Sequence, residues 1–178
     1  MVEMAVYDFL AHLKGGGARP NLFRVVMAFP LFAQATGEES KVMSFLCKGA
    51  QLPDSIVGPI EIPFRGRQVK IPGDRVFPEW TITVINDTDF QIKNAFERWS
   101  NEINQHSSNQ GPNNPQEIMS NAKIEHLDNK GTIIKTYEMV GIWPSEVGAV
   151  EVSFESTDEI EEFPVILQYQ FWESDTTT

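Results

Sequence analysis

The sequence predicts a mainly β fold: an antiparallel β-sandwich or small barrel with one flanking α-helix over about residues 88–104. Three observations carry this expectation. Short runs of alternating apolar and polar residues recur along the chain between Gly, Pro and Asn turns, as in proteins built of many antiparallel strands. One segment, Ile92 to Ile103, repeats its apolar residues at a firm helical spacing. Finally, 178 residues with 41% hydrophobic and 22% charged content suffice for one domain with a full core and argue against wholesale disorder.

The elements follow in chain order. Residues 4–13 predict a short, weakly amphipathic helix, and Gly15-Gly-Gly17 beyond it predicts a hinge, so the N-terminal arm (about residues 1–18) is expected to move or to dock on a neighbour. Asn21 to Phe29 is apolar and partly β-branched, which predicts a strand. Pro30 to Lys41 reads as an excursion or hairpin tip, and Val42 to Lys48 as the returning strand. Pro53, Gly58 and Pro59 interrupt Gly49–Pro59, which predicts a long loop, a feature that compact domains usually reserve for function. From Ile60 to Ile71 two extended pieces flank the turn Arg65-Gly-Arg67, with Pro63 confining them to an edge or a bend. Trp80, Ile82 and Val84 alternate with Thr81 and Thr83 in a half-buried strand.

The helix is the firmest local expectation. Thr88-Asp-Phe-Gln91 fits a capping box, with Thr88 on the amide of Gln91 and Gln91 reaching back. Ile92, Ala95, Phe96, Trp99 and Ile103 then share one face, read as plain core packing with Phe96 and Trp99 as its anchors. Gln105 to Glu117 is a polar, irregular loop. Met119–Leu127 and Thr132–Val140 form a hairpin across Asp128-Asn-Lys-Gly131. Gly141 to Gly148 predicts a rigid connection. Val150, Val152 and Phe154 alternate with Glu151 and Ser153, and Phe163, Val165, Leu167, Tyr169 and Phe171 alternate along a second run; both predict strands with one packed side. Val165–Phe171 is expected near a sheet edge, which must be covered or paired with another chain. The C-terminal end, about residues 174–178, is expected to be flexible.

Charge is unevenly placed. The net charge is −11; residues 1–135 hold all 14 Lys and Arg, whereas residues 136–178 hold 10 acids and neither Lys nor Arg. Such a segment reads first as a solvated acidic face and second as a surface that repels nucleic acid or stacks on a basic partner. It carries no cations to displace phosphate counterions, so ordinary DNA affinity is not expected there. No apolar run approaches a membrane span, and the first residues lack the basic, apolar, then small-residue order of a signal peptide. The single cysteine, Cys47, excludes an internal disulfide framework and suits a chain that folds in the cytosol.

No constellation for catalysis emerges. His12, His106 and His126 lie far apart without metal-ligand spacing. Cys47 follows Phe45-Leu46 and reads as a small buried hydrophobe rather than a nucleophile. Asp158-Glu-Ile-Glu-Glu162 could offer a carboxylate pair, but so dense an acidic run between strands reads as an exposed turn. Arg65, Arg67, Lys70 and Arg75, interleaved with Phe64, Phe77 and Trp80, could form a nucleic-acid groove; the acidic chain favours a hairpin that carries cations to solvent or to an acidic neighbour. No enzyme, cofactor or metal is therefore expected. A monomeric β-sandwich that binds a sugar or peptide remains the alternative from another class.

Five blocks carry a resemblance. They are Ala18-Arg-Pro-Asn-Leu-Phe23, Cys47-Lys-Gly-Ala-Gln-Leu-Pro53, Ile71-Pro-Gly-Asp-Arg-Val-Phe-Pro-Glu-Trp-Thr-Ile-Thr-Val-Ile-Asn-Asp87, Gly141-Ile-Trp-Pro-Ser-Glu-Val-Gly148 and Ser156-Thr-Asp-Glu-Ile-Glu-Glu-Phe163 with its following strand. In this order and spacing they cover nearly the whole chain, and the chain resembles the tail tube protein of contractile-tailed bacteriophages. Pro30 to Lys41 is longer than the family pattern. The resemblance implies a structural virion protein, assembled in the host cytoplasm, whose hexameric rings join their sheets into one inner barrel and stack into a tube. Phage DNA passes through that tube without specific binding. Implied partners are further copies of the chain and the tail sheath, baseplate, tail terminator and tape-measure proteins, with no membrane. A tube-initiating baseplate protein, or a bacteriocin or type VI-like secretion tube, is the nearest alternative. Leu52, Pro53, Ile56 and Val57 are candidates for contact with an adjacent ring, Arg65, Arg67 and Lys70 for a subunit or ring interface, and Val165 and Leu167 for the seam. Glu151, Glu155, Glu159 and Glu161 are candidate lumen-facing acids.

Overall fold

A computed structural model describes residues 2–13 and 17–177. It holds helix α1 (Val2–His12), strand β1 (Phe23–Met27), helix α2 (Glu39–Leu46), strands β2 (Cys47–Ala50), β3 (Ile56–Phe64), β4 (Arg67–Val76) and β5 (Trp80–Ile85), and helix α3 (Gln91–Ile103). A 3-10 turn at Pro115–Glu117 precedes strands β6 (Ser120–Leu127), β7 (Ile133–Val147), β8 (Glu162–Gln168) and β9 (Phe171–Ser174). All strand pairings are antiparallel, so the mainly β, antiparallel expectation holds. Seven strands form one sheet in the order β1-β6-β7-β8-β5-β2, with β9 also on β7, while β3 and β4 pair only with each other.

Strand β7 turns this sheet around the core. Its first part pairs with β6 and β9, and Trp143–Val147 pairs with β8. The register slips at Gly141, between the pairs Asn121↔Val140 and Ser120↔Ile142, and again at Ser145, between Pro144↔Leu167 and Glu146↔Ile166. Each slip inserts one unpaired residue, and such bulges bend a strand. The segment expected as a rigid connection, 141–148, is therefore the bent second half of a long strand. The sheet closes over one hydrophobic cluster that takes side chains from both of its arms: Val25, Met27, Ile124 and Met139 from one, Trp80, Ile82, Val84, Phe163, Val165 and Leu167 from the other.

Helix α3 lies over this cluster as its period demands, with Ile92, Ala95, Phe96 and Trp99 buried. Phe29 meets Phe96 and Trp99 edge-on, at 5.1 and 5.8 Å between ring centroids. The Trp99 indole donates to the Ile118 carbonyl at 2.7 Å, which satisfies its one polar atom. The expected capping box does not form. Phe90 occupies the cap position at φ 53° without a side-chain bond. The Gln91 amide donates to Asp87 Oδ1 at 3.0 Å, and the Gln91 side chain turns away to Thr36 Oγ1 at 2.8 Å.

Four further expectations are corrected. Val42 to Lys48 is not a returning strand: α2 occupies Glu39–Leu46, with Met43 buried and Val42 and Leu46 packed on the cluster, and the strand β2 starts only at Cys47. The loop expected to run to Pro59 ends at Ser55, because Ile56–Phe64 is β3. Gly58, Pro59 and Pro63 are tolerated there because β3 pairs on one side only, which leaves ladder positions that need no N–H. Val150, Val152 and Phe154 form no strand; Val152 and Phe154 are exposed within a long irregular stretch. Finally, Val165 and Leu167 are not at an edge: β8 lies between β7 and β5, and both side chains are buried.

At the termini, α1 forms as expected, and Val6, Tyr7, Phe9 and Leu10 on it are exposed. The hinge expected at Gly15 and Gly16 lies outside the described residues. The C-terminal end carries a hydrogen-bonded turn, with the Ser174 amide on Thr177 Oγ1 at 2.7 Å and the Thr136 amide on Asp175 Oδ1 at 3.1 Å. Among the described residues no helix is long and apolar enough to cross a membrane.

Candidate assembly surfaces

The ribbon β3–β4 is an arm with two unlike faces. Residues opposite one another in an antiparallel pair share a face. Ile60 pairs with Ile71, Ile62 with Val69 and Phe64 with Arg67, which places five apolar side chains on one face. Pro59 with Pro72, Glu61 with Lys70 and Pro63 with Gln68 make the other, where Lys70 bonds Glu61 at 3.2 Å. Among the described residues nothing covers the apolar face: Ile60, Ile62 and Phe64 are 50%, 45% and 60% exposed. At the tip, Arg65 and Gly66 both adopt positive φ (48° and 80°), the backbone of a two-residue hairpin turn that glycine accommodates without strain. The Arg65 guanidinium sits 5.3 Å from the Phe64 ring centre. Midway, the register slips between Val57↔Arg75 and Pro59↔Pro72, so Gly73 and Asp74 oppose Gly58 alone in a bulge that bends the arm.

Within the seven-stranded sheet, three strands, β1, β2 and β9, pair on one side only. They are the free edges of the folded body, and Phe171, the far end of the run expected at an edge, lies on one of them. The matching family model, described as phage tail tube protein, covers residues 18–175. The tail tube protein gp19 of Enterobacteria phage T4 is 31% identical over 160 residues, 89% of this chain and 93% of the relative. The chain belongs to the phage tail tube protein family. The tail tube protein of Serratia phage KSP90 is 32% identical over 157 residues, 88% of each chain. Among solved structures, the fold of this tail tube protein is shared by a chain of the PVC extracellular contractile injection system, in its sheath-tube complex in the extended state (TM-score 0.63, 15% identity, 94% of this chain and 96% of that one). It is also shared by a chain of the anti-feeding prophage baseplate (TM-score 0.61, 12% identity, 88% and 94%).

The candidate contact residues of this tail tube protein fall into three groups. Leu52 and Pro53 lie in the link that leads to the arm, and Ile56, Val57, Arg65, Arg67 and Lys70 lie on the arm itself. One ribbon thus joins residues that the sequence divided between a long loop, Gly49–Pro59, and two extended pieces around the turn Arg65-Gly-Arg67. Val165 and Leu167 belong to the core. The sequence reading missed the apolar face of Ile60, Ile62, Phe64, Val69 and Ile71; the signal was the mirrored alternation on either side of the Arg65-Gly66 turn.

Three of the four candidate acids, Glu151, Glu159 and Glu161, line an open basin of about 800 Å³ together with Lys48 and Glu162. Glu151, Glu155 and Glu159 are exposed, and Lys48 is ion-paired with Glu162. Glu161 differs: half-buried, it accepts from Asn86 Nδ2 at 2.9 Å, and its carbonyl accepts the Asn86 amide at 2.8 Å. Cys47 is shielded chemically as well as sterically. Burial pushes its thiol up to about 12, outweighing a backbone hydrogen bond of Gly49 that lowers it, so it stays a neutral thiol at physiological pH. Among the described residues no group of three His, Cys, Asp or Glu could hold a metal ion.

Proposed function

We propose that this tail tube protein closes into hexameric rings that stack into the inner tube of a contractile phage tail, with the arm as the main contact between copies. The observation that carries this is the apolar face of β3–β4. An exposed, two-stranded ribbon with five apolar side chains on one face gains nothing in a lone subunit and is marginal by itself in water. A second copy is the occupant that fits, because the family is a tube-building one and the free strands β1, β2 and β9 offer further ladder hydrogen bonds to the same partner. Heterologous contacts of this kind close into rings or extend into filaments, according to their rotation. Relatives named as tail tube proteins of phages support a tail tube rather than a tube initiator or a bacteriocin tube.

The same reading makes the protein a non-enzymatic part of the virion tail, assembled in the host cytoplasm. It meets the sheath, baseplate, terminator and tape-measure proteins, and it lets DNA pass without specific binding. Glu151, Glu155 and Glu159 face the bore in this reading. Glu161 serves instead to anchor Asn86.

Negative-stain microscopy of purified protein tests the assembly. The expected result is rings or hollow rods from the full chain. Replacing the arm (residues 58–72) by a short Gly-Ser turn should leave compact, folded, single-subunit particles. Rods formed by the armless variant would overturn the role given to the arm; only single subunits from the full chain, at high concentration and with seeds, would overturn the tube.

A further inference from the structure

The arm is long relative to what holds it. Nine residues of β3 at strand rise extend about 30 Å, so a swing of about 10° at the root displaces the tip by about 5 Å. Contacts at the tip are reproducible only if the root is rigid. The root has two links: residues 51–55, between β2 and β3, and Phe77–Glu79, between β4 and β5. Link 51–55 has no strand partner to orient it.

Three aromatic donors do so instead. The Trp80 indole N–H donates to the Gln51 carbonyl at 2.7 Å. The Trp172 indole N–H and the Tyr169 hydroxyl both donate to the Asp54 carbonyl, at 2.9 and 3.3 Å. The second link is gripped through the same residue, since the Phe77 ring lies 6.0 Å from the Tyr169 ring. Trp172 is in turn braced edge-on against Tyr137 of β7, at 5.4 Å. The donors therefore stand on β5, on β9 and at the corner between β8 and β9, all parts of the rigid body. We propose that Trp80, Tyr169 and Trp172 are positioning residues that lock the angle at which the arm leaves the body. The value of this lock to assembly rests on the docking role given to the arm above; the lock itself does not.

The test uses Tyr169→Phe and Trp172→Phe together, which remove two donors and keep an aromatic ring at each position. Spin labels go on Gln68→Cys, near the tip, and Glu97→Cys, on the exposed face of α3, in a Cys47→Ser background. Labelled protein is diluted into unlabelled protein, so that only distances within one copy are read. Pulsed dipolar spectroscopy should give a narrow distance distribution with the native aromatics and one at least about twofold broader in the double variant, with an unchanged circular dichroism spectrum. Tyr169→Phe alone, the mildest change, should broaden it less. Phe163→Leu, a core change away from the links, lowers the melting temperature and should leave the width as it was. Equal widths with and without the two donors, or broadening by Phe163→Leu, would overturn the lock. Rod assembly is scored separately. A broadened arm that still builds rods at the native concentration supports the lock and removes the arm from the contact.

Discussion

Glu39 is the one charged residue that is buried among the described residues. Its side chain is fully buried; Oε1 accepts the amides of Ala35 at 2.6 Å and Thr36 at 2.9 Å, and the Arg98 guanidinium lies 3.8 Å away. Oε2 is buried with no hydrogen-bond donor among the described residues. Burial alone would push this carboxyl up, but the amides of Thr36, Ala35, Glu39 itself and Gly37 outweigh it and hold the group below its ordinary value of 4.5. A depressed carboxyl binds fewer protons in the folded than in the unfolded chain. Its contribution is fully present above the unfolded value and is lost as pH falls through the folded one. Glu39→Gln keeps the shape and removes the charge, and should cost about 1–2 kcal/mol in urea unfolding at pH 7. The gap between variant and parent should shrink as pH falls below 4.5; a gap constant across that range means that the charge contributes nothing.

Elements differ in how much of them a sequence can display. Helix α3 was readable because its stripe spans several turns and faces one core. The hairpin β6–β7 was readable because Asp128 closes its turn locally, accepting the amides of Lys130 and Thr132 at 2.7 and 2.8 Å. Helix α2 was not. It is eight residues long, its apolar positions fit either period, and at its start Glu39 turns back on the amides of Ala35 and Thr36, which apolar spacing does not show. Val150–Phe154 alternates like a strand but finds no neighbour to pair with, and a ladder needs a partner. The arm was half legible: its turn at Arg65-Gly66 was read, but its root was taken for a loop, because the bulge at Gly58 and the prolines beside it break the alternation where β3 begins. That bulge supplies a prediction. A Cβ on Gly73 would stand 2.7 Å from the Gly58 carbonyl oxygen and 3.0 Å from Ile60 Cγ1, and the backbone oxygen cannot rotate away. Gly73→Ala should therefore re-bend the arm while shifting the unfolding free energy of the body by less than about 0.5 kcal/mol. In light scattering, the concentration needed for rods should rise at least about tenfold, equivalent to ~1.4 kcal/mol per contact. Assembly at the parent's concentration would show that the shape of the arm is irrelevant to packing.

For the whole molecule, the question is what the acidic last quarter of the chain does once copies surround a bore. In a lone subunit Glu151, Glu155 and Glu159 are exposed charges in water, where a pair about 4 Å apart interacts by only about 1 kcal/mol. A ring repeats each charge around a confined space walled by protein, and the weak terms then act together on one passing polyanion. From residue 136 onward the segment contains no Lys or Arg, and Lys48, which lines the same basin, is ion-paired with Glu162. Assembled tubes of the Glu151→Gln, Glu155→Gln, Glu159→Gln variant should keep their form, since none of these carboxylates holds the fold. They should retain short fluorescent duplex DNA at low salt, where native tubes exclude it. Screening shortens the reach of charge from about 10 Å at 0.1 M salt to about 3 Å at 1 M, so the two kinds of tube should converge across that range. Equal DNA retention at low salt would place the three acids on the outside of the tube. Their charge would then serve solubility or contact with a basic partner, and the bore would need another source of its indifference to DNA.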